Sequence, residues 1–260
     1  MRKNVLRELL NADKPSLGTH IHSSWPSVVE AVGHSGMFDY IEFVAEYAPY
    51  DLYDFDNLCR AAELYDLGTM IKVDQEPRQF VSQRAIGSGF QSVLFADVYT
   101  PEEAQQCVNI IKPALPGGGT HGVATRRITY MGYGATKEYA DTLNDTVVVL
   151  MIEKKSAIDH LEAILDVEGV DMVQFGPADY SLNIGKPGTM RHPETKAVER
   201  QMIELCLKKG VHPRGEINSA DQAKEYLDLG VRHFCVGTDI AVLFNWFKSE
   251  GEAMRKAMEE

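Results

Sequence analysis

Two carboxylates stand where an apolar chain has little use for them. Glu153 closes the run 146–153 (TVVVLMIE), and an ionised carboxylate at such a place must be paired or bind a cation. Asp179 follows Phe175, Gly176, Pro177 and Ala178 directly after the next apolar run, at a turn whose consecutive backbone N–H groups can face an anion. On adjacent strand ends the two offer hard oxygen ligands to Mg²⁺ or Mn²⁺, with positions left for water and a chelating substrate. A strand-end ion pair, or a helix N-cap at Asp179, explains the same residues without a metal. His20 and His22 are a second feature, because the ordinary imidazole pKa of about 6.5 suits proton transfer. Spaced two apart on a strand, they point the same way.

These residues need a frame that gathers strand ends. Eight short runs rich in β-branched and aromatic residues fall at 17–23, 39–46, 68–74, 92–98, 146–153, 171–177, 212–217 and 232–238, each followed by a helical pattern. The fifth is apolar without alternation, as a strand covered on both faces by crossover helices must be. Thr100, Pro101 and Glu103 form a capping box with proline at the first helical position, and Ser219 with Gln222 spells a second. Ile158, Leu161, Ile164 and Leu165 predict one inward helix face. Gly89, Gly169, Gly210 and Gly230 precede new strands, as glycines ending helices do. Eight β-then-α units predict a (β/α)₈ barrel, whose chemistry sits at the C-terminal strand ends. Those ends supply His20, His22, Glu46, Tyr47, Lys72, Asp74, Asp97, Glu153, Asp179, Arg214, Glu216 and Asp239.

The 260 residues carry a formal charge of −12, a field that repels phosphate backbones and anionic lipid and so argues against nucleic-acid and membrane partners. Cys59, Cys107, Cys206 and Cys235 form no CxxC pair and read as reduced core thiols. The N-terminus lacks a signal-peptide h-region and no apolar run reaches a membrane span, which places the protein in the cytoplasm. Residues 1–260 read as one domain. A long insertion, 115–145, brings His121, Arg126 and Arg127. Such a loop can clamp the distal part of a substrate or be a solvated basic loop. Gly117, Gly118 and Gly119 lack the Lys-Ser/Thr of a phosphate loop. His34, His160, His192, His212 and His233 read as surface or structural.

The segments LGTHIHSS (17–24), FDYIEFVAEYAP (38–49) and MIEKKSAIDHLEAILDVEGVDMVQFGPADYSLNIG (151–185) resemble the HpcH/HpaI family, the metal-dependent class II pyruvate aldolases. The resemblance runs from about residue 17 to 240. It implies a (β/α)₈ TIM barrel of the phosphoenolpyruvate/pyruvate type, with Glu153 and Asp179 as metal ligands. Gly176, Pro177, Ala178 and Asp179 then form the substrate cradle, the amides of Ala178 and Asp179 holding the pyruvate carboxylate. It further implies a Lewis-acid metal for a metal-bound pyruvate enolate, with no organic cofactor.

The chain also departs from that pattern. Typical members end the second strand with Asp-Gly-Glu-His-Ala-Pro, where this chain has Val44, Ala45, Glu46, Tyr47, Ala48 and Pro49. The usual histidine acid/base is therefore Tyr47. The third-strand Arg is Lys72, which keeps the charge and loses the bidentate fork, and the Gln before the metal Glu is Met151. Tyr47, a poor base near pH 7, can donate a hydrogen bond or fill the missing imidazole's space. His20 and His22, absent from typical members, become the titrating candidates, a structural role being the alternative.

The expected activity is a carbon–carbon lyase acting on a small-molecule 2-oxo acid and an aldehyde. An oxaloacetate-type decarboxylase is the alternative, since it removes no hydroxyl proton. A 2-oxoacid binding protein without turnover is a third. The resemblance implies a homo-oligomer, a hexamer built from dimers. Trp246 and Phe247 fit a C-terminal helix, 241–260, packed on a neighbouring subunit.

Overall fold

The computed structural model describes residues 2–123, 126, 127, 129–132 and 134–259. Its eight strands are β1 (Ser16–Ile21), β2 (Tyr40–Val44), β3 (Gly68–Val73), β4 (Ser92–Phe95), β5 (Val147–Ile152), β6 (Met172–Phe175), β7 (His212–Ile217) and β8 (His233–Thr238). Every neighbouring pair is parallel, and β8 returns to pair with β1, closing the barrel. Each predicted strand overlaps one of these, so the (β/α)₈ expectation holds. β5 is buried along its whole length, the outcome expected of an apolar run between helices and barrel interior.

The core has two parts. An outer shell packs strand faces such as Ile41, Phe43, Ile71 and Val148 against the helices. Inside the barrel, Met70, Leu94, Val147, Val149 and Met172 form a plug that Leu6 and Leu10 of the helix Val5–Asn11 seal from below. Asn4 caps that helix by accepting from the Arg7 amide. Gly18 admits the buried Tyr40 ring, because a Cβ there would lie 2.4 Å from it.

Thr100 caps the helix Pro101–Ile111 by accepting from the Glu103 amide at 3.3 Å. Its Glu103 carboxylate reaches the Tyr99 amide, one residue earlier than the box predicts. Gly89, Gly210 and Gly230 follow helix ends at positive φ, and Gly169 lies in the turn beyond Leu161–Leu165.

Three local expectations change. The single helix expected after β5 is broken at His160 into Lys155–Asp159 and Leu161–Leu165. The Ser219 hydroxyl makes no cap bond. Gln222 instead accepts from the Asn218 amide at 2.9 Å, over the 3-10 turn Ala220–Gln222. The insertion carries structure of its own, including the helix Lys137–Asp145. Its arginines bind the outer helices rather than the barrel mouth: Arg126 donates to Asp56 at 3.2 Å and Arg127 to Glu63 at 2.8 Å.

Candidate active site

A cavity of about 600 Å³ opens at the C-terminal strand ends. It is lined by His20, His22, Tyr47, Lys72, Glu153, Gly176 to Asp179 and Glu216, among others, so the metal, cradle and proton-transfer candidates meet in one place, whereas Glu46, Asp74, Asp97, Arg214 and Asp239 are not among its walls. His121, Arg126 and Arg127 are not among its walls. His121 is buried against the Tyr139 ring, 6.3 Å away. The substrate-clamp expectation for the insertion is therefore replaced by a structural one.

Glu153 leaves β5 already buried. Its Oε1 accepts from the Asp97 amide at 2.9 Å, and Lys154 beside it reaches over to the Asp97 carboxylate at 2.5 Å. Burial pushes the Glu153 carboxyl up to about 7, with the nearby Asp179 and Asp97 charges adding to the rise against the Asp97 amide and Lys72. Gly176 is obligatory here, since a Cβ would lie 2.3 Å from the Glu153 carboxylate. Pro177 opens the helix Pro177–Asn183, so the first-turn amides of Ala178 and Asp179 have no intrahelical acceptor. A buried carboxylate kept from easy ionisation, a second one beside it and a glycine-cleared wall are a donor set that fits a hard divalent cation.

Lys72 is buried at the end of β3, 2.5 Å from Glu46 and 4.9 Å from the centroid of the Tyr47 ring. Burial alone would lower its pKa, but Glu46 turns the shift upward and holds the ammonium charged. The Tyr47 phenol is pushed up to about 12, by desolvation first, so near neutral pH it keeps its proton and can donate a hydrogen bond. His22 sits at the rim, its ring 6.1 Å from Tyr47. Asp239 accepts from the His22 and Ser23 amides at 2.9 Å and anchors that rim. Desolvation lowers the His22 pKa against the pull of Asp239, which leaves the ring neutral near pH 7.

Arg214 is not at the mouth, contrary to its reading as a strand end. It is fully buried inside the barrel and bonded to Glu42, Gln174 and Tyr40. Glu42 and Gln174 were not singled out from the sequence. Their signal was available as a polar residue inside an otherwise apolar strand, in YIEFV and MVQF. His20, Glu42 and Cys235 place three ligand atoms within 4.8 Å of one another. Because Glu42 already faces the Arg214 guanidinium, a cation there would meet a positive charge, and the group is a poor metal site.

Comparison with known proteins agrees with this architecture. The family model "HpcH/HpaI aldolase/citrate lyase" matches residues 17–245. The chain is 30% identical over 243 residues to a 4-hydroxy-2-oxo-heptane-1,7-dioate aldolase of Escherichia coli, covering 93% of this chain and 91% of that one. It is 28% identical over 237 residues to a 2-keto-3-deoxy-L-rhamnonate aldolase of Escherichia coli, covering 91% and 87%. Among solved structures, an HpcH/HpaI aldolase/citrate lyase family protein of Burkholderia cenocepacia superposes with a TM-score of 0.87 at 25% identity, covering 97% of this chain and all of that one.

Proposed function

The chain belongs to the HpcH/HpaI aldolase/citrate lyase family and is an aldolase-like carbon–carbon lyase, and from that premise we propose that it cleaves and forms the C3–C4 bond of a 4-hydroxy-2-oxo acid through a pyruvate enolate. The observation that carries this reading is Glu153, a buried carboxylate at a strand end beside Asp179, with Gly176 cleared for it. We assign Glu153 and Asp179 as ligands of a divalent ion, Mg²⁺ or Mn²⁺, which when bound supplies Lewis-acid stabilisation of charge on the keto oxygen. The Ala178 and Asp179 amides hold the pyruvate carboxylate. Lys72 adds a fixed positive charge toward the developing enolate.

Cleavage requires a base for the C4 hydroxyl. His22 fills that role, being neutral near pH 7 at the cavity rim. Tyr47 donates a hydrogen bond beside Lys72. The reading is tested by pyruvate release from 4-hydroxy-2-oxo acids in the presence of Mn²⁺ or Mg²⁺. The second reading, a 2-oxoacid decarboxylase, is favoured by Tyr47 standing where the family has its histidine. It predicts pyruvate from oxaloacetate and none from any 4-hydroxy-2-oxo acid.

The acceptor must occupy the rest of the cavity, whose walls carry Glu199, Glu216, Asp221 and Glu225 against Arg191 and Lys196. Lys196 is already paired with Glu225 at 2.9 Å. A wall of this charge accepts hydrogen bonds from hydroxyls and repels a second carboxylate. We therefore assign the acceptor as a neutral hydroxylated aldehyde.

The helix Asp239–Glu259 leaves Phe244, Trp246 and Phe247 exposed, and no helix among the described residues is long and apolar enough to cross a membrane. We assign this face to a neighbouring subunit of a homo-oligomer, a hexamer. Four buried free thiols fit a reducing, cytoplasmic compartment.

A further inference from the structure

Below the mouth, five polar side chains from four strands close a ring inside the barrel. Arg214 Nη1 donates to Gln174 Oε1 at 2.5 Å, and Gln174 Nε2 donates to Glu216 Oε2 at 2.5 Å. Glu216 Oε1 lies 3.9 Å from His20 Nδ1, and His20 Nε2 lies 3.3 Å from Glu42 Oε1. The other Glu42 oxygen accepts from Arg214 Nη2, which closes the circuit, while Arg214 Nε donates to the Tyr40 hydroxyl at 2.8 Å. Strand register places these contacts, with His20 opposite Glu42 and Gln174 opposite Arg214. Glu42, Gln174 and Arg214 are buried and His20 nearly so, whereas the Glu216 side chain is 48% exposed.

The ring holds two carboxylates and one guanidinium. Glu42 is balanced by Arg214, so with a neutral imidazole the ring carries one uncompensated negative charge, that of the half-exposed Glu216, and with an imidazolium it is neutral. Isolated buried charge is far more costly than a balanced cluster. The groups around His20 are Glu42 from β2, with Arg214 of β7 behind it, Glu216 from β7, Cys235 from β8, His22 just beyond the end of β1, and Lys72 from β3, the last committed to Glu46. Burial alone would lower the His20 pKa, but Cys235 and the Glu42 carboxylate raise it well above the ordinary value. Among the described residues His20 Nε2 and Glu42 Oε1 face only each other, as an ion pair at 3.3 Å, and both residues line the cavity. The His20 imidazole thus stands between the ring and whatever enters the cavity.

We propose that His20 is the proton donor of the site, an imidazolium kept charged by the ring, which delivers its proton to C3 of the pyruvate enolate. This rests on the lyase reading, and it separates the acid, His20, from the base, His22. In the step an imidazolium N–H bond breaks and its electron pair stays on nitrogen. The enolate C=C pair forms the new C3–H bond as the C2 carbonyl is restored. The ring then carries a net negative charge until solvent returns a proton past the half-exposed Glu216. In the reverse direction neutral His20 takes the C3 proton.

Two measurements test the proposal. Nitrogen NMR of histidine-labelled protein reads the charge state of each ring across pH 6 to 9. His20 should stay cationic well above the ordinary histidine range, and Glu216→Gln, at the solvent-facing edge where folding is least threatened, should lower its titration. Exchange of pyruvate methyl protons with deuterium should slow at least about 100-fold in His20→Gln, while Mn²⁺ and pyruvate affinities measured by calorimetry stay unchanged. A His20 that titrates at or below its ordinary value overturns the proposal, and so does unaltered exchange in a His20→Gln protein that binds pyruvate. Wild-type protein that binds neither Mn²⁺ nor pyruvate refutes the lyase reading itself, and the acid role with it, whatever the NMR shows.

Discussion

The Glu153 carboxylate accepts a hydrogen bond from the backbone N–H of Asp97 at 2.9 Å, joining the end of β5 to the turn after β4. That turn holds Asp97 at a positive φ of 54°, and its carboxylate is tied by Lys154. One Glu153 oxygen is thereby fixed by the backbone, and the other is directed toward the Gly176 wall. Glu153→Gln preserves shape and loses charge, so Mn²⁺ affinity by calorimetric titration should fall at least about 100-fold, in line with removal of a charged ligand. Asp179→Asn should do the same. Both variants should keep wild-type circular dichroism and melting behaviour. Unchanged Mn²⁺ affinity in both would remove the metal site.

Sequence patterning captured the strands because a barrel strand buried on both faces is an uninterrupted apolar run, and Glu153 stands out at the end of one. The same property concealed the ring beneath the mouth. With both faces buried there is no alternation to show which residues point inward, so Glu42 and Gln174, each the one polar residue of YIEFV and MVQF apart from the Tyr40 hydroxyl, stood out without showing which face they take. The bounds of β7, HPRGEI, were read as they stand, yet Arg214, third of its six residues, was counted among the strand ends although its side chain lies inside the barrel. Arg126 and Arg127 went astray for a different reason: their partners Asp56 and Glu63 lie about 70 and 64 residues away in sequence, and no local pattern reports such a contact.

The His22 role sets the acidic limb of the rate profile. A base acts only when neutral, and desolvation together with the cationic His20 lowers the His22 pKa below 6.5. Retro-aldol kcat/KM should be flat between pH 7 and 8 and decline only below the ordinary histidine range. His22→Gln should lower cleavage by about 10² to 10⁴ with little effect on oxaloacetate decarboxylation, which removes no hydroxyl proton. Equal losses in both reactions would exclude a base role, and loss only in Tyr47→Phe would move it to the phenol.

Stability should fall on mild acidification through the buried neutral histidines. Burial, with Arg84 adding, pushes His121 down to about 4, and burial, with His212 adding, does the same to His233. A folded-state pKa below the unfolded one gives stability that is present above about 6.5 and lost as pH falls toward 4. Each histidine contributes at most about 3 kcal/mol over that window. The His121 ring makes no hydrogen bond among the described residues, so His121→Leu should flatten the decline in urea midpoint between pH 7 and 5. An unchanged slope would show that His121 is not buried in its neutral form.

The acceptor wall makes a prediction that the two relatives divide on. A 4-hydroxy-2-oxo-heptane-1,7-dioate has a carboxylate at its far end, whereas a 2-keto-3-deoxy-L-rhamnonate carries hydroxyls there. In this chain Glu216 is half-exposed, and Asp221 and Glu225 line the same cavity. Lys196 is occupied by Glu225, which leaves Arg191 as the cation of that wall without an ion pair among the described residues. Bringing a second carboxylate to within about 4 Å of one such charge costs about 1 to 4 kcal/mol at the dielectric of a wet cleft, or roughly one to three powers of ten in kcat/KM. With pyruvate as donor, aldol addition to glyceraldehyde or lactaldehyde should therefore exceed addition to succinic semialdehyde by at least about tenfold. Asp221→Lys lies outside the buried ring, so it should narrow that ratio by raising the rate with the charged aldehyde while leaving pyruvate methyl exchange as in wild type. Preference for succinic semialdehyde in the unaltered enzyme would assign the wall to a carboxylate instead, with Arg191 as its partner.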